Sequence, residues 1–306
     1  MQMPEITFPL FTTIVLNGLA IGALYFLVAV GLSVIFGLMH VLNFAHGSMF
    51  MVGAYVGLTV FRLFGDPGTA SAPTWGFFVA MLAGGLAGFV MGWVTERFLI
   101  RPLYKRPIFL VLLTIGLIMV IDETVKLIWS PNPQGLVLVP AFAESIDIMG
   151  QPFASYRIFL ILFGAVMMTL VWWLVNKTRI GIIIRAGVQD SDMVQTLGIN
   201  VRQVFTMVFA VGVGLAAMGG IATAPFNGVY PGMGGEFLLK SFIVVVIGGF
   251  GSVVGTATGA IFLGLTEQIL PWFFPKLAAV APVAVMALVL LLKPEGLFNL
   301  SGRRSS

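Results

Sequence analysis

The chain has 306 residues, of which 59% are hydrophobic and 9% charged, against about 25% charged in an ordinary soluble domain. So much apolar surface has to meet lipid, which argues against a soluble enzyme. The net charge of +4 comes from basic residues at span ends rather than from a nucleic-acid-binding stripe. Cysteine is absent, which excludes disulfides, thiolate metal sites and cysteine nucleophiles, and two histidines make a His-rich metal site a poor expectation.

No lysine, arginine, aspartate or glutamate occurs from Ile6 to Phe61. As one helix this run would extend about 84 Å, whereas the bilayer core is about 30 Å thick. The chain must therefore reverse inside it. Phe8–Met39 reads as a span, and Asn43–His46, within VLNFAHGS, is the predicted turn before the apolar stretch Gly47–Phe61. No basic residue precedes the first run, and the run is too long for a signal-peptide core, so the first span is expected to be kept.

Arg62–Thr74 is a loop punctuated by Gly, Pro and Ser. Trp75–Val94 is a span, followed by the turn ERFLIRPLYKRP with Arg97, Arg101, Lys105 and Arg106. Ile108–Trp129 is the next span. Ser130–Tyr156 reads as a polar, Pro-containing loop with Glu144 and Asp147, and Ile158–Val175 crosses again. Asn176–Gln203 is charged and mixed in sign, with Lys177, Arg179, Arg185, Arg202, Asp190 and Asp192. It suits a short amphipathic helix stopped at Gly198. Val204–Pro225 is a span and FNGVYPGMGGE a loop. Phe237–Val253, Gly255–Leu270 and Leu277–Leu292 are apolar, and the tail carries Lys293, Arg303 and Arg304.

Most of the 16 lysines and arginines fall in the Arg97–Arg106 turn, the Asn176–Gln203 segment and the tail. Those parts belong on the cytoplasmic side. The N-terminus is then outside and the tail inside, with nine crossings if every late segment spans. Eight result if one late segment is re-entrant or if Asn43–His46 only bends the chain. The expected fold is an all-α polytopic membrane protein of eight or nine transmembrane helices, some broken or re-entrant. It is a single domain over residues 1–306, with 176–203 as a cytoplasmic segment within it.

Glycines recur four apart at Gly18/Gly22, Gly84/Gly88/Gly92 and Gly251/Gly255/Gly259, a spacing that lets helices approach closely in lipid. Asp122, Glu123 and Lys126 sit inside a span. They are at pairing distance along one helix face, so a snorkelling paired set is the leading reading and ion coupling the other. Glu267 is more isolated; it faces a cavity or caps a short helix. Asn43 and His46 either line a cavity at a broken helix or satisfy each other in a tight turn. No lysine follows a glycine, so the phosphate-binding loop GxxxxGK[ST] is absent, and neither HExxH nor GxSxG occurs. ATP hydrolysis is therefore expected elsewhere.

Several phrases together resemble LivH-type permeases, the membrane subunits of branched-chain amino acid ABC importers. They are NGLAIGALYFLVAVGLSVIFGLMHVLNFAHGSMFMVGAY, with Leu42–Gly47 as the family's "INFAHG"-like phrase; the ER…RPL turn through Glu96, Arg97, Arg101, Pro102 and Leu103; TIGL at Thr114–Leu117; TRIGIIIRAGVQDSDMVQTLGINV; and the Gly-rich Lys240–Glu267. The likeness covers nearly the whole chain. It implies a transport subunit of the bacterial inner membrane that binds no cofactor and has no catalytic residues. Two ATPase subunits would consume ATP, a second related permease would complete the pathway, and a periplasmic binding protein would deliver the solute. The resemblance makes 176–203 the ATPase-docking loop, carried by Arg179, Gly181, Arg185, Ala186, Asp190, Gly198 and Ile199. The loop departs from the family where Ile182–Ile184 replaces a common second arginine and Val194 a common alanine. Asn43, Phe44, His46, Gly47 and Glu267 are the candidate translocation residues. Urea or short-amide uptake uses similar permeases. A solitary ion-coupled transporter would have to draw on Asp122/Glu123 or Glu267.

Overall fold

The computed structural model describes residues 7–39, 41–66, 73–189, 191–196, 198, 200–293 and 296–297. Six of its helices are long and apolar enough to cross a bilayer. They are α1 (Phe8–Met39), α3 (Thr74–Val94, continued by a π turn at Thr95–Ile100 and a 3-10 turn at Arg101–Leu103), α4 (Pro107–Trp129), α6 (Ser155–Lys177), α9 (Val201–Asn227) and α11 (Val253–Phe273). Shorter apolar helices are α2 (His46–Phe61) and α12 (Ala281–Leu292), and α10 (Met233–Gly248) has 16 residues. The chain is an all-α polytopic membrane protein.

Apolar residues surround α1 on every side, which predicts burial rather than one wetted face. Indeed, 72% of its span and 67% of that of α9 are enclosed by protein, against 22% for α4 and 11% for α6. The first pair forms the centre of the bundle and the second faces lipid. Small residues let the central helices touch. The backbones of Gly31 and Gly212 meet where α1 crosses α9, Gly88 and Gly92 lay one face of α3 on α9, and Gly84 meets the Gly53 backbone of α2. Gly18 and Gly22 pack on α11, as the four-residue spacing predicts. Gly255 and Gly259 bring α11 onto α10 at Gly248 and Val244, while Gly251 meets Gly37.

The reversal predicted at Asn43–His46 lies deep in the bundle. Nε2 of His46 is 3.0 Å from the Val28 carbonyl, eleven residues before α1 ends at Met39, which is about 16 Å back along the helix axis. The chain folds back alongside α1 before α2 begins. Asn43 fixes the turn: its Oδ1 accepts from the Ala45 amide at 3.1 Å and its carbonyl accepts from the His46 amide at 3.2 Å.

Two expectations are corrected. Ser130–Tyr156 is more than a loop: it holds a short helix, α5 (Pro140–Ala143), and a hairpin of β1 (Ser145–Ile148) with β2 (Gln151–Ala154). Met149 and Gly150 both have positive φ, which makes the two-residue turn that matches strand twist. The Gly150 amide donates to Asp147 Oδ1 at 2.6 Å. Phe237–Val253 is not one segment either. Gly249 and Gly251, at φ 91 and 77, end α10 and let the chain reverse into α11.

Near the hairpin, an aromatic cluster ties α3 to α5 and α6. Phe77, 2% exposed, has Tyr156, Phe142 and Phe159 at centroid distances of 5.9, 6.2 and 6.2 Å. Phe77→Ala is expected to destabilise the fold by about 3–5 kcal/mol. A drop of several degrees in thermal unfolding of the detergent-solubilised chain checks this. An unchanged midpoint would show that the cluster does not hold these helices.

Candidate functional site

At the basic end of the bundle the chain turns a sharp corner. α6 stops at Lys177, and the Thr178 hydroxyl donates back to the Leu174 carbonyl at 2.5 Å and accepts from the Gly181 amide at 3.2 Å. Gly181 lies directly on the Val175 backbone, where a Cβ would overlap the carbonyl oxygen. Arg185 donates to that same carbonyl. The segment beyond the corner is helical over α7 (Arg179–Gln189) and α8 (Ser191–Thr196).

Beyond these contacts with α6, α7 is anchored on the bundle by Ile184 and exposes apolar residues on another face. Ile184, 5% exposed, packs with Leu38 and Val208, while Ile180 and Ile182 are exposed together with Met193 of α8. Val194 is buried, Ala186 is half-buried, and Arg179 is exposed. Gly198 follows α8 with φ +79, its amide donating to the Gln195 carbonyl at 3.0 Å. Asp190 and Ile199 lie outside the described residues. A cleft of about 370 Å³ runs beside this corner, lined by Arg101 of the basic turn and by Gln195, Gly198, Asn200 and Arg202. In that basic turn, Glu96 is fully buried and accepts a hydrogen bond from Tyr104.

The candidate translocation residues divide into two places. Asn43, His46 and Gly47 are buried. Gly47 abuts the Gly234 backbone at the start of α10, and His46 Nδ1 has no partner among the described residues. Phe44 and Asn43 line a small apolar cavity of about 180 Å³ against Leu238 and Phe242. Glu267 is elsewhere. It sits in mid-α11, where its Oε2 accepts from the Tyr25 hydroxyl and its Oε1 is 3.8 Å from Lys240 Nζ. A cavity of about 300 Å³ opens there between α1, α6, α9, α10 and α11. Arg157, on the first turn of α6, enters it too, hydrogen-bonded to Asn17 and placed over the Phe226 ring at 5.5 Å.

The sequence reading missed Tyr25, Arg157 and Lys240 as members of this cluster. Lys240, alone among apolar residues, carried the usable signal, because an ionisable side chain inside a membrane is a functional candidate. Arg157 was hidden by its place next to a polar loop. The intramembrane acids also differ from expectation. Lys126 pairs with Glu123 at 2.6 Å, but Asp122 accepts from Ser48 at 2.9 Å and thereby ties α4 to α2.

A bundle of lipid-exposed helices around a tight glycine-packed centre, with an amphipathic corner at one end and a charged cavity nearer the other, defines a multi-pass membrane transport subunit. The sequence profile described as "branched-chain amino acid transport system / permease component" matches residues 14–291, and the chain belongs to that family of ABC transporter permeases, in its LivH type. It is 29% identical over 300 residues to the high-affinity branched-chain amino acid transport system permease protein BraD of Pseudomonas aeruginosa, covering 92% of this chain and 94% of that one. It is 28% identical to LivH of Escherichia coli K12, with the same two coverages. To E. coli LivM it is 22% identical, over 91% of this chain and 68% of the other. No solved structure matches it significantly.

Proposed function

We propose that this chain is a permease subunit of a bacterial inner-membrane ABC importer for branched-chain amino acids. Two separate ATPase subunits energise it, a second related permease pairs with it, and a periplasmic binding protein feeds it. The chain itself binds no cofactor; its partners use the ATP. The observation that carries this reading is the α7–α8 corner. It exposes Ile180, Ile182 and Met193 beside Arg179, at the end of the bundle that the basic residues assign to the cytoplasm. An apolar patch rimmed by charge is what a docked partner covers.

The corner is also joined to the transport core. Ile184 packs on Leu38 at the end of α1 and on Val208 of α9. A partner that pulls on α7 therefore moves the two central helices. In this scheme the permease is a two-state element, and the ATPases supply the differential affinity that shifts it. The Asn43–Gly47 turn and Glu267 lie along the path the solute takes.

Uptake in proteoliposomes tests the proposal. Labelled leucine is expected to accumulate only when this chain is reconstituted with both ATPases, the second permease and the loaded binding protein, and to stop on ATP depletion. Transport by this chain alone, insensitive to ATP depletion, would overturn it in favour of an ion-coupled carrier. ATP-dependent uptake of urea in place of leucine would keep the architecture and change the solute.

A further inference from the structure

We propose that the cavity holding Tyr25, Arg157, Lys240 and Glu267 is a binding subsite for a zwitterionic α-amino acid with an aliphatic side chain. The inference rests on the permease reading above and assigns the residues of this chain that hold the solute. The cavity measures about 300 Å³, at the small end of ligand pockets, so it suits one amino acid and not a peptide. It lies toward the hairpin end, since Arg157 follows β2 by three residues and Asn227 at its rim is the last residue of α9. That end is opposite the α7–α8 corner.

The charges in the cavity are incompletely used. Lys240 is engaged by Glu236 at 2.9 Å. Glu267 spends Oε2 on Tyr25, but its Oε1 makes no hydrogen bond among the described residues and has Lys240 only at 3.8 Å. Arg157 has five N–H donors; among the described residues it donates to Asn17 and has no carboxylate partner. One open carboxylate oxygen and one underused guanidinium therefore face a common space. An ammonium fits the first and a carboxylate the second, and arginine favours carboxylate by its planar fork. Only a solute carrying both groups satisfies both without adding net charge to a weakly solvated site. An amine or an acid alone leaves one charge uncompensated, which is unfavourable away from water. Apart from Thr223 and Asn227 the rest of the wall is apolar, with Ile21, Leu24 and Phe237, which suits an aliphatic side chain.

The chain contains no cysteine, so Asn227→Cys places its only thiol at the rim of the cavity. The test uses the whole importer in nanodiscs, without binding protein. Maleimide labelling of this chain is timed in the presence of L-leucine, 4-methylpentanoate, 3-methylbutylamine or urea. Millimolar leucine is expected to slow labelling about fivefold or more, a difference set by occupancy. The acid, the amine and urea should leave the rate unchanged, and a second substitution, Glu267→Gln, should remove the protection. Binding-protein-dependent leucine uptake is measured in parallel on the Asn227→Cys importer. Uptake without protection overturns the subsite and leaves the permease reading standing. Equal protection by all four solutes also overturns it. An importer whose unsubstituted form transports no leucine overturns the permease reading itself. Should Glu267→Gln fail to assemble, the comparison of leucine with its two single-charge analogues on Asn227→Cys alone decides.

Discussion

Gly198→Pro is expected to abolish co-purification of the ATPase subunits while leaving the chain inserted and folded in the membrane. Gly198 sits at φ +79, and proline is locked near −65°. The substitution also deletes the amide that donates to the Gln195 carbonyl at 3.0 Å. Both losses fall on the link between α8 and α9 and on the wall of the cleft shared with Arg101 and Arg202. They create no clash with the bundle, because among the described residues nothing lies within 4 Å of a Cβ built at Gly198. For the same reason Gly198→Ala meets no clash and bears only the left-handed backbone penalty of about 1–2 kcal/mol. It should reduce complex yield without eliminating it. Affinity pull-down from solubilised membranes, with membrane abundance of the chain as the control, reads both variants. Wild-type ATPase recovery with Gly198→Pro would show that this corner is not the main dock.

Gly31→Leu should have the largest effect on the fold itself. At the α1–α9 crossing the two backbones touch, and a side chain at Gly31 would occupy the position of the Gly212 carbonyl. Neither partner is a flexible side chain that could swing away, so the helices must separate. Overpacking a core typically costs about 1–3 kcal/mol and more where backbone has to move, so loss of the folded permease is expected. Size-exclusion profiles in detergent should show aggregate in place of a single peak. Gly116→Leu supplies the contrast. Among the described residues nothing lies within 4 Å of a Cβ at Gly116, and leucine exceeds glycine in helix propensity by about 0.5–1 kcal/mol. That variant should be neutral or slightly stabilised. A monodisperse, active Gly31→Leu protein would mean that the α1–α9 contact is not needed for the fold.

The lipid-spanning elements were legible from composition because the bilayer imposes one rule on every span. Phe8–Met39 is a helix over the residues read from the sequence, and α3 and α4 begin one residue before the predicted Trp75 and Ile108. The glycine spacing likewise predicted packing, and the contacts at Gly18, Gly84 and Gly255 supply it. The hairpin at Ser145–Ala154 was not legible, because a four-residue strand carries too little periodicity and Met149 gives no sign of its positive φ.

Sequence by itself determined that this chain lives in lipid, where its long spans lie and which loops are basic, and it marked the segment after Lys177 as the expected partner site. These are local properties, read from apolar length, charge and glycine content. Tertiary structure alone decided depth and company. It set His46 level with Val28, eleven residues inside α1. It also brought Tyr25, Arg157, Lys240 and Glu267 from four helices to one cavity. Their separation along the chain leaves no spacing to read. What joins them is that charges buried in a bundle must find each other, or a ligand, to stay charged.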